Sequence, residues 1–214
     1  ESRGLGDVYK RQVRTESYMN ILEKIAEIKS SGETSLNLKD EKLRILPNEL
    51  WDLTHLEELI LDGNELVELP DEITRLKNLK SLSLGENDLM LLGPEIGDFE
   101  KLENLYLGYN FLTDIPKEIG KLKNLQKLNV AKNSISHIPE EFGQLTKLVK
   151  LSLHDNLLVS IPDSFGNLSS LSRLYLDNND LESIPASMGD LENLEELILS
   201  CLLYTSPSPR DSDS

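Results

Sequence analysis

Leu56-Glu57-Glu58-Leu59-Ile60-Leu61-Asp62-Gly63-Asn64-Glu65-Leu66-Val67-Glu68-Leu69-Pro70-Asp71-Glu72-Ile73-Thr74-Arg75-Leu76-Lys77-Asn78 is one copy of a pattern that governs most of this 214-residue chain. Its apolar slots are Leu56, Leu59, Leu61, Leu66, Leu69, Ile73 and Leu76, with an asparagine at Asn64. Steps of 23 residues then meet Asn87, Asn110, Asn133, Asn156 and Asn179, and the leucines that open each unit follow at Leu79, Leu102, Leu125, Leu148 and Leu171. A degenerate unit precedes these (Leu36, Leu38, Leu43, Leu46, Pro47) and a partial one opens at Leu194, so 33–200 holds seven units and a truncated eighth. Strict phase at this period marks an architecture of stacked coils.

The chemistry of one coil is readable from its residues. Leu-x-x-Leu-x-Leu contains a period-2 stretch, which predicts a short strand with its leucines pointing inward. Asparagine stands where the chain must turn. Its amide both donates and accepts, so it can satisfy backbone groups that a buried turn leaves unpaired. Asn64, Asn87, Asn110, Asn133, Asn156 and Asn179 are therefore expected to stack as a ladder. The return segment opens with proline, which fixes φ. Glycines at 97, 120, 143, 166 and 189 near its end are expected to permit tight or left-handed backbone. Gly93-Pro94 departs from the Leu/Ile-Pro phasing and is expected to alter the return turn there. Glu41 stands in the asparagine slot of the first unit, and Val130 takes a leucine slot conservatively. Each coil exposes an apolar side until a neighbour covers it, so contacts between adjacent units should dominate stability.

The pattern resembles the leucine-rich-repeat family, specifically its 23-residue Leu/Ile-Pro class, found in Ras-group scaffold proteins, Roco proteins and many bacterial proteins. The resemblance covers roughly 33–200. It implies an α/β fold: a right-handed curved solenoid with a parallel sheet on its concave face. It also implies a non-catalytic interaction module, a scaffold or recognition domain, with a small Ras-like GTPase or a signalling enzyme as a plausible protein partner.

Upstream of the array, Tyr18, Ile21, Leu22, Ile25 and Ile28 fall on one helical face, and Thr15 or Ser17 can cap the helix start. We read 13–32 as a helix covering the open end of the first coil, as solenoids require. A partner-binding helix satisfies the same amphipathic criterion. Trp51 stands where later units carry Gly or Thr and is expected to pack on the cap. Residues 1–12 and 201–214 lack apolar period and resemble translated transposase-type sequencing adapter, the two ends corresponding to opposite strands of one DNA. They are excluded from fold reasoning as non-native tails. Cys201, the only cysteine, lies in the second tail and gives only weak support for a reducing compartment.

A formal charge of −16 argues against nucleic acid and anionic membrane surfaces. No apolar run approaches the roughly 20 residues of a membrane span. No signal-peptide pattern is visible, so cytoplasmic placement is expected. His55, His137 and His154 fall in different columns, and no Cys/His spacing suggests a metal. There is no phosphate-cradling glycine loop and no arguable catalytic triad, so neither catalytic residues nor a cofactor is expected. Asp177-Asn178-Asn179-Asp180 lies on the asparagine phase and lacks the terminal glutamate of a calcium loop. Asn167-Leu168-Ser169 matches a glycosylation acceptor and is treated as coincidence.

Residues between the leucine slots of each strand face outward on the sheet. One such column reads Glu58, Ser81, Asn104, Lys127, Lys150, Arg173, Glu196, and the next Ile60, Ser83, Tyr106, Asn129, Ser152, Tyr175, Ile198. Lys127, Lys150 and Arg173 make a basic run on an acidic protein, either a site for acidic groups of a partner or a solvated face with its charges splayed apart. Tyr106, Tyr109 and Phe111 crowd one unit, with Tyr175 further along: either binding anchors or isolated surface aromatics. Phe111 is expected to turn partly inward. The candidate partner-binding set is thus Tyr106, Tyr109, Phe111, Lys127, Lys150, His154, Arg173 and Tyr175. Two other assignments fit the same repeats: the sensing arm of a larger enzyme (a Roco GTPase, kinase or cyclase) and a secreted bacterial effector. Leu194, Leu197 and Leu199 lack a covering neighbour in sequence, so the fragment is expected to self-associate through that end.

Overall fold

The computed structural model describes residues 18–199. A helix, α1, spans 18–31. Eight three-residue strands follow: β1 (Ser35–Asn37), β2 (Glu58–Ile60), β3 (Ser81–Ser83), β4 (Asn104–Tyr106), β5 (Lys127–Asn129), β6 (Lys150–Ser152), β7 (Arg173–Tyr175) and β8 (Glu196–Ile198). They form one open sheet in chain order, every pair parallel. The register follows the repeat without slippage: Leu36, Leu59, Leu82, Leu105, Leu128, Leu151, Leu174 and Leu197 stand side by side.

Seven short 3-10 helices, from Asn48–Asp52 to Ala186–Asp190, form the opposite, convex side. Six of them are preceded by proline in extended backbone, from Pro47 at φ −63 to Pro185 at φ −66. The Gly93-Pro94 departure leaves this turn unaltered. Gly93 takes the proline slot with φ −72 and ψ 162, and Pro94 starts the helix Pro94–Asp98, in phase with its neighbours. Proline at the first helical position loses only an N–H that would be unpaired there anyway.

The core is a single leucine spine between sheet and convex side, with Phe99, Phe142 and Phe165 fully buried near the return helices. Phe142 and Phe165 stack with centroids 5.9 Å apart. The convex glycines are tight but not left-handed. A Cβ on Gly143 would sit 2.5 Å from the Ser164 carbonyl oxygen of the next coil, whereas one on Gly189 would meet nothing within 4 Å. These glycines let successive return helices pack backbone to backbone.

Left-handed backbone falls elsewhere, at the residue before each asparagine: Gly63, Glu86, Tyr109, Lys132, Asp155 and Asn178, with φ between 54 and 68. This reversal aims the asparagine amide into the interior. Asn110 shows the pattern: its Oδ1 accepts the Leu89 N–H at 3.0 Å, and its Nδ2 donates to the carbonyls of Leu84 (2.9 Å) and Leu107 (3.1 Å). Asn64, Asn87, Asn133, Asn156 and Asn179 repeat these bonds. The ladder is continuous, but its rungs run from side chain to the previous coil's backbone, not from amide to amide.

Helix α1 lays Ile21, Ile25 and Ile28 into the same buried cluster as Trp51 and Leu50. Leu22 is half-buried, and Tyr18, expected on the apolar face, is exposed. Lys29 donates to Asp52 at 2.9 Å, holding that carboxyl below its usual range, and Lys24 pairs with Glu41. Glu41, in the first asparagine slot, thus serves the cap instead of the ladder. The capping candidates Thr15 and Ser17 and both tails lie outside the described residues.

Candidate functional site: the concave face of the sheet

Because alternate residues of a strand point to opposite faces, the leucines that fill the core leave their neighbours on the concave surface. The register aligns Lys127 with Lys150 and Lys150 with Arg173, so the basic run is a true lateral column across β5, β6 and β7. Neighbouring strands lie about 4.8 Å apart. The adjacent column runs Tyr106, Asn129, Ser152, Tyr175. Two tyrosines therefore bound a trough whose floor is Asn129 and Ser152 and whose side is Lys127 and Lys150.

The candidate residues do not behave alike. Tyr106 is half-buried; burial, and then the charge of Glu58, push its phenol above the ordinary value. Tyr175 donates to Glu196 Oε2 at 2.8 Å, and that bond is the main reason its phenol also shifts upward. Lys150 Nζ lies over the Tyr175 ring, 5.2 Å from its centre. Arg173 shares Glu196, with Nε 3.8 Å from its carboxylate. His154 is half-buried beside Asp155 at 3.9 Å. Tyr109 stands at the rim on left-handed backbone, with Lys132 Nζ 4.5 Å above its ring.

Phe111 is not turned inward. It is 58% exposed and lies past the asparagine turn, off the sheet. Its neighbours in exposure past that turn are Val67, Met90 and Leu91, which sequence reasoning passed over. The slot of Val67 and Met90 alternates between apolar and polar residues along the array (Thr113, Ser136, Val159, Glu182), so no strict periodic signal marks it. A third feature also escaped prediction. Asn78, Asn124 and Asn193 donate to carbonyls of the preceding coil (2.8, 2.8 and 2.6 Å), forming a second set of rungs on the edge that leads into the strands. Among the described residues, no group of three or more His, Cys, Asp or Glu is placed to hold a metal ion, and no helix is long and apolar enough to cross a membrane.

Stacked parallel strands, a buried asparagine ladder and short return helices define a leucine-lined solenoid. A family model described as a leucine-rich repeat region matches residues 94–212. The chain belongs to the leucine-rich-repeat family. No curated protein matches the chain in sequence. Among solved structures, it is similar to a leucine-rich-repeat protein of Leptospira interrogans, at 41% identity and TM-score 0.73, over 76% of this chain and 41% of that one. Internalin C2 of Listeria monocytogenes is similar at 29% identity and TM-score 0.71, over 78% of this chain and 70% of that one. The plant peptide hormone receptor RGFR1, solved in complex with RGF2, is similar at 34% identity and TM-score 0.61, over 78% of this chain and 32% of that one. The chain thus spans well under half the length of the Leptospira protein.

Proposed function

We propose that this chain is a non-catalytic protein-recognition module whose partner lies along the concave face. The observation that carries this reading is the continuous outward surface of the sheet. It sets Tyr106, Lys127, Lys150, Arg173 and Tyr175 within one register, with His154 two residues past β6 and no described element packed over them. Aromatic and basic side chains at the centre of a surface are what protein interfaces use as anchors. The similarity to a plant receptor solved with RGF2 supports the same use of the fold. The family resemblance favours an intracellular signalling protein, such as a small GTPase, as the partner. Tyr109 belongs to the rim of this surface, whereas Phe111, Met90 and Leu91 are exposed past the asparagine turn, off the sheet.

The test is site-specific photo-crosslinking in cells that express the gene. A benzophenone side chain at position 106 or 152 is expected to give discrete protein adducts, and one at the convex Lys117 to give none. Adducts from the convex position alone would reverse the reading. The chain spans 41% and 32% of the lengths of two structures it matches. That favours a second role for the same surface, as the sensing arm of a longer protein such as a Roco GTPase or a kinase. A phosphate-binding loop or kinase motif in the continuing reading frame would support that role.

A further inference from the structure

We infer that the concave trough reads an extended acidic segment of a protein, with carboxylates at alternate positions set against Lys127, Lys150 and Arg173; this rests on the protein-recognition reading above.

The first argument is charge placement. The chain carries 38 acidic residues against 22 Lys and Arg, so carboxylates are abundant. Some of them neutralise a cation of the neighbouring coil or of the cap: Lys80 pairs with Glu57 at 2.9 Å, Arg44 with Glu65 at 2.6 Å, and Lys29 with Asp52 at 2.9 Å. In the basic column only Arg173 has such a partner, Glu196 at 3.8 Å. Among the described residues, Lys127 and Lys150 have no carboxylate within 4.0 Å, although each stands beside another cation. Like charges directly opposed across a sheet are destabilising. A single Glu at 150 would remove both oppositions, so the arrangement costs the free protein something that a bound anion returns.

The second argument is preparation. The Lys150 ammonium is steadied over Tyr175, and Tyr175 is itself tied to Glu196. A cation held in place before binding loses less side-chain freedom on binding. The trough floor adds hydrogen-bonding groups. Ser152 is only 5% exposed, yet its hydroxyl makes no hydrogen bond among the described residues. Asn129 spends its Oδ1 on the Ala131 N–H at 3.0 Å, leaving its Nδ2 to donate.

The third argument is shape. Tyr106 and Tyr175 are three strands apart, about 14 Å at the usual strand spacing. About four residues of extended chain cover that span, and their same-face side chains recur every 6.6–6.8 Å or so. Two flexible lysine stems and an arginine about 9.6 Å across reach carboxylates at that interval. The net charge of −16 opposes a long polyanion while leaving room for two or three local charges.

The experiment uses the whole chain and a labelled octapeptide of alternating serine and glutamate, with a serine–glutamine octapeptide and an eight-residue oligothymidylate as comparators, read by fluorescence anisotropy and amide chemical shifts. The acidic peptide is expected to bind at least tenfold more tightly than the glutamine peptide at low salt. It should weaken steeply as salt rises and shift the resonances of Lys127, Asn129, Lys150 and Ser152. The Lys127→Glu/Lys150→Glu variant is expected to lose that preference while keeping its thermal midpoint. Lys127→Gln/Lys150→Gln serves as a milder variant with the same expected direction. Equal binding of the two peptides, unchanged binding by the charge-reversed variant, or equal affinity for oligothymidylate would each overturn the inference. Crosslinks from position 106 that persist in the charge-reversed variant would overturn it while leaving concave-face protein recognition standing. Loss of every concave crosslink in the unmodified sequence would overturn the broader reading instead.

Discussion

At the residue scale, the asparagines do the work that a regular sheet or helix does elsewhere. Each satisfies one N–H and two carbonyls at a buried turn, and a buried group left unpaired costs about 1–3 kcal/mol. Asn110→Ala is therefore expected to lose at least about 2 kcal/mol, on the same allowance per unpaired group. Urea unfolding followed by circular dichroism measures this, and an unchanged midpoint would contradict the ladder's role. The residue before each asparagine holds left-handed backbone, which an L side chain adopts at a cost of roughly 1–2 kcal/mol. Glu86 is exposed, at φ 54, with no side-chain partner among the described residues. Glu86→Gly relieves that strain, partly offset by the larger unfolded-state freedom of glycine, and is expected to raise stability by up to about 1 kcal/mol. A loss in the same denaturation assay would show that Glu86 makes a contribution of its own. The asparagine positions and their chemistry were plain in the sequence. The strained residue was not, because Glu, Tyr and Lys at 86, 109 and 132 carry none of the usual signals for that backbone.

At the element scale, the convex helices from Pro94–Asp98 onward pack so closely that Gly97, Gly120, Gly143 and Gly166 leave no room for a Cβ. In Gly143→Ala the new Cβ would lie 2.5 Å from the Ser164 carbonyl oxygen, and overpacking of this kind costs about 1–3 kcal/mol. Gly189→Ala meets nothing within 4 Å, so it is expected to change stability by no more than about 0.5 kcal/mol. Thermal melts of the two variants side by side decide the matter, and equal effects would refute the packing explanation. Helix α1 makes a parallel case. Its face at Ile21, Ile25 and Ile28 was legible from spacing, and Ile25→Ala is expected to cost about 2–5 kcal/mol by leaving a cavity. Rapid hydrogen exchange confined to α1 and the first coil would be its signature. Spacing alone placed Tyr18 on that face too, but the first coil covers the face only from Ile21 onward, and Tyr18, a turn earlier at the first described residue of the helix, is 42% exposed.

For the whole molecule, stability comes from neighbours covering neighbours, so protection should follow position in the stack. Leu105, Leu128 and Leu151 lie in the interior of the array and are buried to within 1%. Leu197 and Ile198 on β8 are 39% and 40% exposed. Amide exchange is therefore expected to be slowest in β3–β6 and fastest in β8, a gradient that native-state exchange with mass spectrometry resolves. Among the described residues β8 pairs only with β7 and exposes apolar side chains, and we propose that the 214-residue chain associates through it. Light scattering is expected to show mass rising with concentration, and a monodisperse monomer throughout the range would contradict this.

The sequence by itself determined the period, the leucine spine, the asparagine row and the parallel stacking. Every coil must bury the same slots against identical neighbours, so that demand is written again every 23 residues. Only the tertiary structure decided what differs between coils. It carried Phe111 outward and left Met90 and Leu91 exposed past the asparagine turn. It assigned the glycines to close approach instead of left-handed turns, and set Lys150 over Tyr175 while leaving Lys127 without a carboxylate. These outcomes depend on which side chains meet from coils 21 to 26 residues apart, as the inter-coil bonds of Asn110 and Tyr175 show. Core slots are constrained to repeat, whereas outward residues are not, so the partners of outward residues become definite only once the stack exists.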